Sequence, residues 1–313
     1  MKQNQSTITK SGIPKIGVVA LAIVFTLGLF VVGFDQGHIF SLVVGEEAFD
    51  NMFIHELTHD LRHAAGFPCH YVCFLKTGLF VIIVLVSGSF AGLIYGGLNL
   101  ALVEPFLDDA TNIENQNLFE SGEETDSSEF WVEYYSYRSW QKGGQILAAT
   151  ILGTSIGALF GIVFAYSRKS LPSENNLRKT LVLAGIMWLV LFTIPFLKYP
   201  ANPPTVGDGE TVVLRGILYL SFIAISGFST LGFYQMYKRL KPEKKIFSFI
   251  GYAVFISAVF FLMPDNPDEI NAPAELINGF RAFSFFTTSV FWLSLALILG
   301  AFWEKLKPQI HSD

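Results

Sequence analysis

The stretch Thr77-Gly78-Leu79-Phe80-Val81-Ile82-Ile83-Val84-Leu85-Val86-Ser87-Gly88-Ser89-Phe90-Ala91-Gly92-Leu93-Ile94-Tyr95-Gly96-Gly97-Leu98-Asn99-Leu100-Ala101-Leu102-Val103 contains no charged side chain. As a helix it is about 40 Å long, more than the ~30 Å hydrocarbon core of a bilayer. In lipid every backbone donor and acceptor needs a partner within its own segment, so a run of this kind is a transmembrane helix.

Working outward, six further apolar runs of comparable length follow the same rule: Ile16–Phe34, Ile146–Tyr166, Thr180–Leu197, Val212–Met236, Ile246–Met263 and Phe283–Trp303. Composition agrees. Hydrophobic residues make up 51% of 313 positions and charged residues 15%, against roughly 25% in soluble domains. Mean hydropathy is +0.46. The fold class is therefore an all-α integral membrane protein of about seven transmembrane helices. Its expected parts are one N-terminal anchor and a six-helix bundle of three hairpins. The lipid bilayer is its first partner, and the expected location is the cell membrane, as a multi-pass protein of a prokaryotic plasma membrane.

Lys2, Lys10 and Lys15 precede the first run, as in a signal peptide. Its apolar stretch is longer than a signal core, however, and Gly33-Phe34-Asp35-Gln36-Gly37 offers no small-x-small cleavage site, so it reads as a retained anchor. Basic residues concentrate at 168–179 and 238–245, which places the C-terminus in the cytoplasm by the positive-inside rule. The N-terminal lysines argue the other way. A net charge of −5 carries no nucleic-acid signature.

The chain divides near residue 75. Residues 1–75 hold one membrane helix and a polar, histidine-rich segment; residues 76–313 hold six helices. Two hairpins in the second part look alike. The fourth helix ends in Phe196-Leu197-Lys198-Tyr199-Pro200-Ala201-Asn202-Pro203, the sixth in Phe261-Leu262-Met263-Pro264-Asp265-Asn266-Pro267. Each continues through a polar loop to an arginine, Arg215 or Arg281, entering the next helix. Two helices separate the copies, so both loops face one side, as in a parallel duplication. The plainer alternative is that Pro and Asn simply stop helices. Gly88, Gly92 and Gly96, and likewise Gly153, Gly157 and Gly161, form small-residue stripes for close helix packing.

Chemistry concentrates in His55-Glu56-Leu57-Thr58-His59-Asp60-Leu61-Arg62-His63-Ala64-Ala65-Gly66-Phe67-Pro68-Cys69-His70, which holds four of the six histidines. On a helix, His55, His59 and His63 stack at i, i+4 spacing and can chelate one ion, with Glu56 and Asp60 as flanking oxygen donors. Gly66 and Pro68 end such a helix and swing Cys69 and His70 back toward it. Imidazole with thiolate suits a borderline transition metal: cobalt, nickel or zinc. Cys69 and Cys73 are four apart, and on a helix their α-carbon spacing and vectors suit a disulfide poorly, so they read as two reduced thiols. The same stretch also reads as an amphipathic surface helix with solvated histidines. His55-Glu56-Leu57-Thr58-His59 further spells H-E-x-x-H, the zinc-protease motif, although no partner motif supplies a third ligand. A metal sensor or chaperone subunit is a third reading.

Ten carboxylates without one Lys or Arg occupy Glu104–Glu133, read as a solvated acidic loop that raises local cation concentration. Within the spans, Asn99 and Glu104 are the candidate pore residues, since polar groups in a bilayer face cavities or each other. Asn202, Asp208, Asn266 and Arg281 are the candidate loop residues. No Walker-type glycine loop or soluble domain is present for ATP. No permanently bound cofactor is expected beyond the transported metal, and assembly as a homo-oligomer is left open.

Two parts of the chain resemble a predicted cobalt transporter family. Gly33-Phe34-Asp35-Gln36-Gly37 and His59-Asp60-Leu61-Arg62-His63…Gly66-Phe67-Pro68-Cys69-His70 are similar to its small, CbtB-type subunit. Lys198-Tyr199-Pro200-Ala201-Asn202-Pro203-Pro204-Thr205-Val206-Gly207-Asp208, with Arg281 in Phe-Arg-Ala-Phe-Ser, resembles the large, CbtA-type subunit. The resemblance implies a natural fusion, small subunit first, and membrane transport of cobalt.

Overall fold

The structure, a computed structural model, describes residues 15–33, 77–204, 206–207, 209–268, 270 and 272–307. All regular structure among them is helical: α1 (Lys15–Gly33), α2 (Thr77–Leu102), α3 (Glu104–Ser121), α4 (Ser128–Ser167), α5 (Asn176–Lys198), α6 (Val212–Arg239), α7 (Ile246–Leu262) and α8 (Ala274–Leu306). Six of these, α2 and α4 to α8, are long and apolar enough to cross a membrane, and α1 adds a shorter apolar stretch over Gly17–Leu27. Each of these seven helices overlaps one of the seven expected runs.

The expected acidic loop over 104–133 is instead helical. Glu104–Ser121 forms α3, and residues 128–133 open α4, whose 40 residues make it about 60 Å long. No proline or glycine interrupts α3 after Pro105, which sits in its first turn where a missing N–H costs nothing. Gly122, at φ 76°, stops it in the left-handed conformation. Hydropathy does not register such polar helices.

The described residues fall into two compact units. One holds α1, α2 through Leu100, Trp131–Ala184 and the chain from Val290; the other holds Ala101–Phe130 and Gly185–Ser289.

In the first unit the glycine stripes of α2 and α4 meet backbone to backbone. A Cβ on Gly88 would stand 2.5 Å from the Gly153 carbonyl oxygen, and one on Gly153 equally close to the Gly88 carbonyl. No side chain fits there, which is why both positions are glycine. Ser89 and Thr154 add a hydroxyl–hydroxyl hydrogen bond of 2.8 Å across the same seam. Elsewhere in this unit, Trp303 of α8 is buried against Phe80 and Phe164, with ring centroids 5.8 and 4.9 Å away, both edge-to-face. Thr180 of α5 donates to the Ala296 carbonyl of α8 at 2.8 Å.

In the second unit α6 and α7 form an antiparallel hairpin. Tyr237 meets Phe249, Phe233 meets Tyr252 and Phe222 meets Phe260, so partners run in opposite directions along the two helices. Trp188, Phe192 and Phe196 of α5 gather around Phe285 of α8 at 5.4 to 5.9 Å. This packing brings the ends of α5 and α7 and the starts of α6 and α8 together within one unit.

Candidate functional site

The two Pro-x-Asn-Pro loops interlock. The loop after α5 and the loop after α7 are tied by four sets of polar contacts, and each arginine that follows one loop reaches into the other.

Arg281, in the second turn of α8, donates from Nε and Nη2 to Oδ1 of Asn202 at 3.2 and 2.7 Å. Arg215, in the first turn of α6, reaches the opposite way to Asp268, its Nε 2.8 Å from Oδ2. That N–H is not aimed along the line to the oxygen, so the contact is an ion pair rather than an aligned hydrogen bond. Thr211 donates to the other oxygen of Asp268 at 2.7 Å. The Asp268 side chain is 4% exposed. A carboxylate so desolvated needs both partners, because an unpaired charge at that depth is strongly unfavourable.

The remaining ties lie nearer water. Lys198, the last residue of α5, is paired with Asp265, whose side chain is 92% exposed. The Lys198 ammonium also sits 5.2 Å from the Phe260 ring centroid. The Tyr199 hydroxyl donates to the Pro264 carbonyl at 2.6 Å. Burial, and then the charge of Asp265, raise the Tyr199 hydroxyl pKa above the ordinary tyrosine value, so it stays a donor across the neutral range. Asn266 takes a local role, accepting the Asp268 backbone N–H at 3.3 Å and shaping the second loop.

Of the residues expected from sequence, Asn202 and Arg281 are thus in direct contact, and Asn266 belongs to the same loop cluster. Asn99 is buried near the end of α2. Glu104 is the buried first residue of α3, where the helix dipole favours a carboxylate. His55, Glu56, His59, Asp60, His63, Cys69, His70 and Asp208 lie outside the described residues. Among the described residues, no group of three or more His, Cys, Asp or Glu could hold a metal ion.

The structure adds residues that sequence reasoning did not single out: Lys198, Tyr199, Thr211, Asp265 and Asp268. Their signal was the similarity of the two loop sequences. A lysine and an aspartate at the starts of two loops on one side of a membrane are placed to pair.

These features define a multi-pass, all-helical membrane protein with two interlocked loops. Comparison with known families then places it. Residues 78–304 match the family described as "Probable cobalt transporter subunit (CbtA)", and residues 12–70 match "Probable cobalt transporter subunit (CbtB)". The chain belongs to the CbtA family, with a CbtB region ahead of it in the same polypeptide. No curated protein and no solved structure matches it.

Proposed function

We propose that this chain carries cobalt(II) across the cell membrane as a single-chain permease. The observation that carries this reading is the order of the two family matches: a small-subunit region and a large-subunit region, together covering most of the chain in one polypeptide. Fusion of two transporter subunits argues that both act on one substrate at one place.

The division of labour follows the chemistry. Residues 1–75 supply capture, with His55, His59, His63, Cys69 and His70 offering imidazole and thiolate, and Glu56 and Asp60 offering oxygen. Residues 76–313 supply the membrane path. The interlocked loops stand at one mouth of that path, with Asn202, Asn266 and Arg281 among their residues. Asn99 and Glu104 are the polar groups proposed to line it. The family names specify cobalt, and neither nickel nor zinc draws support from them. The zinc-protease reading of His55-Glu56-x-x-His59 likewise draws no support, since both matching families are transporter subunits.

Glu56→Gln separates transport from proteolysis. A protease loses its general base and all turnover. A permease keeps cobalt uptake near the parent rate in Glu56→Gln, whose amide oxygen remains a donor to the metal, and loses it in His59→Ala, which removes a nitrogen ligand. Uptake that falls as far in Glu56→Gln as in His59→Ala contradicts the assigned roles.

A further inference from the structure

The latch formed by the two loops has a hinge directly behind it. Within α5, Trp188–Thr193 is wound as a π-helix, and the Ile194 N–H bonds the Leu189 carbonyl five residues back. Pro195 follows and has no N–H, so in that register the Val190 carbonyl loses its donor. Ser226 of α6, fully buried, replaces it: its hydroxyl donates to the Val190 oxygen at 2.8 Å and lies 3.0 Å from the Tyr252 hydroxyl of α7. Beyond this break α5 continues only through Ile194–Lys198. That short segment ends in Lys198 and Tyr199, which make the two ties to Pro264 and Asp265.

We propose that Trp188–Pro195 is a hinge, and that α5 swings its last turn about it to release the Lys198–Asp265 and Tyr199–Pro264 ties, opening one mouth of the transport path. This rests on the transport reading above.

Three observations carry it. A π-turn holds one residue more than α-winding accommodates. Closing it turns everything after it by one residue's angle, about 100°, and takes Lys198 off its partner. Ser226 has two partners, so it can release Val190 and keep the Tyr252 hydroxyl; the break reseals without leaving a buried hydroxyl unpaired. The ties also differ in how readily they break. Asp265 is exposed and is rehydrated at once when Lys198 leaves, and Lys198, itself buried, travels with the swinging turn. Asp268, by contrast, is buried on the side that stays and keeps its pairing with the part-exposed Arg215. The start of α6 is therefore the fixed side, the end of α5 the moving side, and Asn202 on Arg281 the tether between them.

The test uses the full chain in proteoliposomes with Tyr199→p-benzoylphenylalanine, which photocross-links to the 264–268 loop and leaves both native cysteines untouched. Illumination is expected to reduce cobalt uptake in proportion to the cross-linked fraction. Cross-linked protein that transports at the unilluminated rate overturns the latch. A second measurement needs no flux. Pro195→Ala supplies the N–H that α-winding needs for the Leu191 carbonyl, whereas the π-wound state already has Val190 held by Ser226. The substitution is therefore expected to lower cross-linking yield by about twofold or more through a larger released population. An unchanged yield overturns the hinge. If neither the wild-type chain nor the unilluminated variant carries cobalt, it is the transport reading that fails, and the yield comparison still decides the hinge.

Discussion

Arg281 places two guanidinium nitrogens on a single oxygen, Oδ1 of Asn202, across 79 positions of chain. Arg215 makes the reverse crossing to Asp268. Two loops with similar Pro-x-Asn-Pro sequences are thereby bound to each other by the arginine that follows each. The second crossing lands on Asp268 rather than on Asn266, which stands in the second Pro-x-Asn-Pro where Asn202 stands in the first, so the two crossings are not matched residue for residue. Among the described residues, Arg281 meets only an amide, while Arg215 meets a carboxylate. The two halves of the clasp therefore differ in strength.

That difference gives the first prediction. Arg281→Lys keeps the charge but loses the two-donor fork, and is expected to lower stability by about 1–2 kcal/mol in detergent. Asn202→Asp puts a carboxylate beneath the guanidinium and is expected to raise it by a similar amount. Thermal unfolding of both variants decides the matter; midpoints equal to the parent's would show that the contact contributes nothing.

The break in α5 gives the second. Ser226→Ala strands the Val190 carbonyl and is expected to cost about 1–3 kcal/mol. In a Pro195→Ala background an N–H returns to that carbonyl, and the cost of Ser226→Ala is expected to fall by about 1 kcal/mol or more. A double-mutant cycle by denaturation measures this coupling. Equal costs in the two backgrounds would mean that Ser226 does not compensate for Pro195.

The seam between α2 and α4 gives the third. Gly153→Val drives a branched side chain into the Gly88 carbonyl and is expected to destabilise by about 3 kcal/mol, the upper range for overpacking. Gly97→Ala is the control, since a Cβ there meets nothing within 4 Å. Its helix propensity is expected to make it neutral or stabilising by up to about 1 kcal/mol. A Gly153→Val melting point matching that of the control would contradict the seam.

Much of this was legible in the sequence because the bilayer imposes one rule on every span. Runs such as Thr77–Val103 announce their helices, and the spacing of Gly88 and Gly153 announces their seam. The repeated Phe-Leu and Pro-x-Asn-Pro motifs place Asn202 and Arg281 on one side of the membrane, where the two are in contact. Other features carry no such mark. Helix α3 is polar, and hydropathy responds to lipid-facing surface rather than to helicity, so Glu104–Ser121 read as a loop. The π-turn at Trp188–Thr193 has ordinary apolar composition; Pro195 was its sole trace, and proline near the end of a span reads first as a stop. The partner of Arg215 depends on how the second loop turns after Pro267, a tertiary fact that no local pattern encodes.

The central claim is that one chain both captures and carries cobalt. Uptake of cobalt(II) into proteoliposomes containing the purified chain, beside the His59→Ala/His63→Ala variant, tests it most directly. The account predicts saturable uptake by the parent and its collapse in the variant. Uptake absent from the parent, or undiminished in the variant, would contradict it.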